Sequence, residues 1–115
     1  MKKNVLLVED DPGIREVFKI ILDVPELEVF EAASCDEAYK RLEEIRFDVV
    51  LLDNKLPDGT GLYLLPVALH HCPHVIMVTA DADRIRTAAL SCGAKAVFDK
   101  SVDPDELLRE CLSSA

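Results

Sequence analysis

Five short apolar runs alternate along this chain with five stretches whose apolar residues recur at helical spacing. The runs are Val5–Val8, Glu28–Glu31, Val49–Leu52, Val75–Val78 and Ala96–Phe98. Most are continuous and rich in β-branched residues, the pattern of strands covered on both faces. The second holds Val29 and Phe30 between two glutamates and reads as an edge strand. Between the runs, Ile14, Val17, Phe18, Ile21 and Leu22 share one helical face, and Leu107, Leu108, Cys111 and Leu112 share another.

Start and stop signals frame the helices. Asp11 is placed to cap the first, with Pro12 at N1, where its missing N–H costs nothing. Ser34 and Glu37 have capping-box spacing for the second helix. Asp103-Pro104-Asp105-Glu106 repeats the cap, proline and acid signals for the last, and Gly93 marks the end of the fourth. The third is expected from about Leu62 to His70. Pro66 inside it removes a backbone donor and predicts a kink, or a regular part confined to one side. Strict alternation of strand and helix predicts an α/β fold: a parallel sheet, right-handed crossovers and helices on both faces. No linker, repeat or low-complexity run divides the 115 residues, so one domain spanning 1–115 is expected.

Composition narrows the function. The net charge is −9, with no cluster of Lys or Arg, which argues against direct nucleic-acid binding and against anionic membranes. No signal-peptide pattern is present, and no apolar stretch nears the ~20 residues that a spanning helix needs. A cytoplasmic location is the expectation. Cys35, Cys72, Cys92 and Cys111 form no CxxC pair and are expected as reduced, small apolar residues. His70, His71, Cys72 and His74 read as a solvated segment before the fourth strand rather than as a soft-metal site.

In sheets of this kind ligands sit beyond the carboxyl ends of the strands. Those ends carry Glu9, Asp10 and Asp11, then Asp53, then Thr79, then Asp99 and Lys100. Singly, each has a plain explanation: Asp10 or Asp11 as a helix cap, Asp53 as the start of a turn before Pro57-Asp58-Gly59, Lys100 as a surface charge. Together they place carboxylates, a hydroxyl and an ammonium at one edge. Crowded carboxylates repel unless a cation intervenes, and oxygen donors at this charge density suit Mg²⁺. A carboxylate can also attack phosphorus to form an aspartyl phosphate, with the metal, Lys100 and Thr79 steadying the equatorial oxygens.

Four segments at compatible spacings carry a family likeness. "VLLVEDDPGIREVF" resembles the acidic opening of response-regulator receiver domains, the family of the chemotaxis receiver, and "FDVVLLDNKLPDGTGL" resembles their phosphoacceptor segment. "VIMVTA" and "CGAKAVFDKS" resemble the hydroxyl- and lysine-bearing strands. The resemblance covers nearly the whole chain. It implies a flavodoxin-like (βα)5 three-layer sandwich with strand order 2-1-3-4-5. It also implies that Asp53 is the phosphoacceptor and that Asp10, Asp53 and the Lys55 carbonyl ligate Mg²⁺, with Glu9 acting through metal-bound water. Thr79 and Lys100 then contact the phosphoryl group, while the Lys55 and Asp81 side chains flank it and modulate its lifetime. The implied partners are a sensor histidine kinase or phosphotransfer protein, and a downstream protein or attached output domain. Its catalysis would be limited to its own phosphorylation and dephosphorylation.

This chain departs from the family in three places. Val97 stands where an aromatic residue usually switches inward, and Phe98 beside it is expected on the opposite face of the strand. Ser101 replaces the usual proline after the lysine, where a cis bond would cost about 2.5–4 kcal/mol. Lys55 is unusual two places after the phosphoacceptor. It also counts against an aspartate-nucleophile phosphohydrolase, which wants a second aspartate there. A flavin- or nucleotide-binding module would want a phosphate loop in place of Glu9-Asp10-Asp11. A pseudo-receiver would not need the complete acidic set.

Overall fold

The computed structural model describes residues 2–113. Strands β1 (Lys3–Val8), β2 (Leu27–Ala32), β3 (Val49–Leu52), β6 (Val75–Val78) and β7 (Ala96–Phe98) form one parallel sheet in the order β2-β1-β3-β6-β7. A small antiparallel hairpin, β4 (Lys55–Leu56) with β5 (Gly59–Thr60), follows β3 and is an addition to the expected elements. Without it the order is the expected 2-1-3-4-5, and β2 lies at an edge as its glutamates predict.

The alternating pleat divides the core in two. Leu6, Val8, Val50, Leu52, Met77 and Val97 point to one face and pack with buried residues of α2 (Cys35–Glu44), α3 (Gly61–His71) and α4 (Ala82–Ser91). Val5, Leu7, Val49, Leu51, Ile76 and Val78 point to the other, against Phe18 and Leu22 of the α1 region (Pro12–Ile21) and Leu107 and Cys111 of the α5 region (Pro104–Leu112). Burial of both faces is why these strands read as unbroken apolar runs. Phe98 packs with the second group, opposite Val97, as the strand period requires.

Most caps follow the sequence signals. Asp11 accepts from the backbone N–H groups of Gly13 and Ile14, Ser34 from Glu37 and Asp103 from Asp105. Glu37 reaches back to the N–H of Ala33. Gly93 follows α4 with a φ of 111°, in the region that favours glycine. The described peptide bonds are all trans.

Two local expectations need correction. Helix α3 runs unbroken through Pro66, whose ring lies on the exposed side, so the regular part is not confined to one side of the proline. The stretch His70–His74 is only half solvated. His70 and His71 are exposed, but Cys72 and His74 are buried. His74 directly precedes β6, where its carbonyl accepts from Val50 N–H and its side chain turns inward. Its Nε2 sits 3.0 Å from Glu110 Oε2.

At the far edge, Val97 faces its carbonyl away from β6, because the neighbouring Phe98 carbonyl accepts from Thr79 N–H. Arg86 of α4 donates to the Val97 carbonyl at 3.1 Å and to Asp83 Oδ1 at 2.8 Å.

Candidate functional site

The carboxyl ends of β1, β3, β6 and β7 converge where the sequence places the chemistry. Glu9 ends β1 and Asp53 ends β3, and both are buried, with exposures of 1% and 3%. Asp10 beside them is exposed. Glu9, Asp10 and Asp53 each present a carboxylate oxygen within 4.8 Å of the others. Thr79 is buried at the end of β6, and its Oγ1 accepts from Asp81 N–H at 3.2 Å.

Lys100 reaches back from beyond β7 into this group. Its Nζ lies 2.8 Å from Glu9 Oε1 and 2.9 Å from Asp53 Oδ2. Burial pushes the Glu9 carboxyl above its ordinary range, and the Asp53 charge adds to the rise, against the opposing hydrogen bonds from Lys100 and Asp11 N–H. Burial works to lower Lys100, but its bonds to Glu9 and Asp53 outweigh this and its pKa rises. The ammonium is therefore held charged among the carboxylates.

One ammonium against three carboxylates leaves an excess of negative charge. The donors are all oxygen, as a hard cation prefers. Opposite ligands of Mg²⁺ stand about 4.2 Å apart. The three carboxylate oxygens lie within 4.8 Å of one another, wider than that span, so the cluster could bind a metal ion once its donors draw slightly together.

The loop after Asp53 is built to stay in place. Asn54 N–H donates to Asp53 Oδ1 at 2.7 Å, and the Asn54 side-chain oxygen accepts from Leu62 N–H at the start of α3. Gly61 N–H donates to the Asn54 carbonyl at 2.7 Å. A Cβ on Gly61 would overlap the Asp53 carbonyl, so only glycine fits this approach. From the hairpin turn, Asp58 accepts from Cys35 N–H at 2.8 Å and Asp36 N–H at 2.9 Å, at the start of α2. These bonds fasten the segment that carries Lys55.

At the mouth, Lys55 Nζ and Asp81 Oδ2 are 3.9 Å apart, so the two expected flanking residues do face each other. Sequence reasoning missed Asn54, Asp58 and Arg84, which binds the same Asp81 oxygen at 3.2 Å. Only Asp58 carried a signal, as a turn residue in Pro57-Asp58-Gly59. Among the described residues no cluster of metal-binding groups forms around His70, His71, Cys72 and His74.

A parallel α/β sheet with an acidic pocket and a lysine at its carboxyl edge defines a receiver-type signalling module. Residues 5–111 match the response regulator receiver domain, and the chain belongs to that family. It is 36% identical to the response regulator protein PilR of Pseudomonas aeruginosa, over 99% of this chain and 26% of PilR. It is 34% identical to the phosphate regulon transcriptional regulatory protein PhoB of Klebsiella pneumoniae, over 94% of this chain and 49% of PhoB. The chain thus spans about a quarter to a half of these relatives. A solved CheY-like receiver domain from Methanospirillum hungatei superposes with a TM-score of 0.87 at 36% identity, covering 96% of this chain and 90% of that one. Receiver domains of response regulators act in two-component signalling, between histidine kinases and output domains, and are generally non-enzymatic signalling modules. No helix among the described residues is long and apolar enough to cross a membrane.

Proposed function

We propose that this receiver accepts a phosphoryl group on Asp53 with the help of Mg²⁺, and signals by altered protein contacts. The observation that carries the reading is Lys100, bound at once to Asp53 and Glu9 in a pocket with excess negative charge. Asp10, Asp53 and the Lys55 carbonyl would hold the ion, with Glu9 acting through water. A bound Mg²⁺ offsets the charge of carboxylates and phosphoryl oxygens.

The chain's own groups account for the rest. Asp53 supplies the nucleophilic oxygen. A new P–O bond forms as the donor's bond to phosphorus breaks, and the leaving group departs with the electron pair. Lys100 lies within reach of an oxygen on the transferred group, and the Thr79 hydroxyl offers a hydrogen bond to another. Catalysis is positioning and electrostatics, with no proton-relay base required. Lys55 and Asp81, facing each other at the mouth, would govern how readily water reaches the acyl phosphate.

Within two-component signalling, the donor side is a sensor histidine kinase or phosphotransfer protein. The receiving side is a downstream protein or an attached output domain. The charge of −9 suits protein partners better than direct contact with nucleic acid.

The test is incubation with acetyl phosphate and Mg²⁺, followed by intact mass measurement. Wild type should gain one phosphoryl group and Asp53→Asn none. Equal labelling of the two proteins would overturn the assignment.

A further inference from the structure

The geometry points to Arg84 as a positioning residue that sets the lifetime of the acyl phosphate by holding Asp81 away from Lys55; this rests on Asp53 being the phosphoacceptor. Three observations converge on it. Asp81 Oδ2 is shared unequally, with Arg84 Nη2 at 3.2 Å and Lys55 Nζ at 3.9 Å. Arg84 has the shorter contact and a hydrogen bond, while Lys55 stands at the outer limit of an ion pair.

Asp81 is also the N-cap residue of α4, yet its side chain makes no cap hydrogen bond. Aspartate is among the best capping residues, yet this carboxylate is turned to Arg84 first, with Lys55 and the Asn54 side chain also beside it. Arg84 is the largest influence holding the Asp81 carboxyl below its ordinary range. Finally, Arg84 lies in the first turn of α4, where a cation opposes the helix dipole. Its side chain is 70% exposed and that of Lys55 is 76% exposed, so neither is fixed by burial. The position of Arg84 is unfavourable for the helix and favourable for Asp81.

The consequence is a division of charge at the mouth of the site. While Arg84 neutralises Asp81, the Lys55 ammonium is only loosely tied and leaves a path for water. Without Arg84, Asp81 has Lys55 as its remaining cation there, and the pair closes over the acyl phosphate. Hydrolysis then slows.

The experiment labels each protein with acetyl phosphate and Mg²⁺, removes the donor and follows loss of the phosphoryl group by intact mass. Arg84→Ala should lengthen the lifetime by about two- to fivefold, the span an exposed ion pair supports. Arg84→Lys should restore the wild-type lifetime. In a Lys55→Ala background, Arg84→Ala should add nothing, a dependence that a merely structural role for Arg84 would not produce. An unchanged or shortened lifetime in Arg84→Ala overturns the inference, as does equal lengthening in the Lys55→Ala background. Those results leave Asp53 labelling intact. Failure of wild type to label at all overturns both this inference and the phosphoacceptor reading.

Discussion

Gly61→Ala tests whether the fold and the site share one tight contact. The added methyl would overlap the carbonyl oxygen of Asp53, and it would lie 2.9 Å from the carbonyl carbon and 3.0 Å from Leu52 Cγ. Two of these neighbours are backbone atoms of the strand end, so no side-chain rotation relieves the overlap. Overpacking of this kind costs about 1–3 kcal/mol. The displacement also strains the Gly61 N–H bond to Asn54, worth about 0.5–1.5 kcal/mol. The total expected loss is about 2–4 kcal/mol, large beside the roughly 5–15 kcal/mol that holds a typical domain together. Urea unfolding measures it directly, with a lower midpoint and an unchanged slope. Phosphoryl labelling of Asp53 should fall in the same variant, because the strand end carrying the carboxylate has moved. A loss below about 0.5 kcal/mol, within the usual range for surface substitutions, would refute the steric argument.

Other groups make separate predictions. Saturating Mg²⁺ should stabilise wild type, by about 2.7 kcal/mol at a hundredfold excess over Kd, and Asp10→Ala should abolish the shift in a thermal melt. No midpoint change in wild type would count against the metal site. The Asp58 carboxyl is held below the ordinary carboxylate range, chiefly by the N–H of Asp36 and then of Cys35. Its contribution is present above the unfolded value and is lost as pH falls through the lower folded value. The stability gap between wild type and Asp58→Ala should therefore be wide at neutral pH and narrow in acid, and a gap independent of pH would reject the capping role. Among the thiols, iodoacetamide should reach exposed Cys92 first. Burial pushes Cys111 up to about 12, and burial with the Asp58 charge pushes Cys35 up to about 11, so both should resist until unfolding. Early modification of Cys111 in the folded protein would contradict its packing.

What was legible in the sequence was local or periodic. Continuous apolar runs marked strands because both sheet faces are covered. Asp11, Ser34 and Asp103 marked helix starts because capping is a contact between near neighbours. The candidate site was legible because parallel strands bring their carboxyl ends to one edge, so Glu9, Asp53, Thr79 and Lys100 could be gathered without knowing a single distance. The missed features need separation in sequence to collapse in space. Asp58 caps a helix that begins 23 residues before it, and no local pattern announces that pairing. His74 does lie in the loop just before β6, as its position suggests, but nothing local shows that its side chain is buried against Glu110 of α5, 36 residues away. The β4–β5 hairpin has strands of two residues each, too short for any alternation to show. Pro66 lies on the exposed face of α3, where it removes a donor without interrupting the buried stripe of Leu64, Leu65 and Ala68, so the helix continues past it.

The arginine on the Val97 carbonyl bears on what this domain avoids. An edge strand offers unpaired backbone groups to any extended chain that drifts alongside, and such additions seed aggregates. At β7 the outward carbonyl of Val97 is already occupied by Arg86. An incoming strand would have to displace that guanidinium, strip it of a bond and accept a positive charge against its own backbone. With only three residues in β7, one plugged carbonyl removes much of the available ladder. The bond that ties α4 to the sheet thereby also guards the sheet against unwanted company.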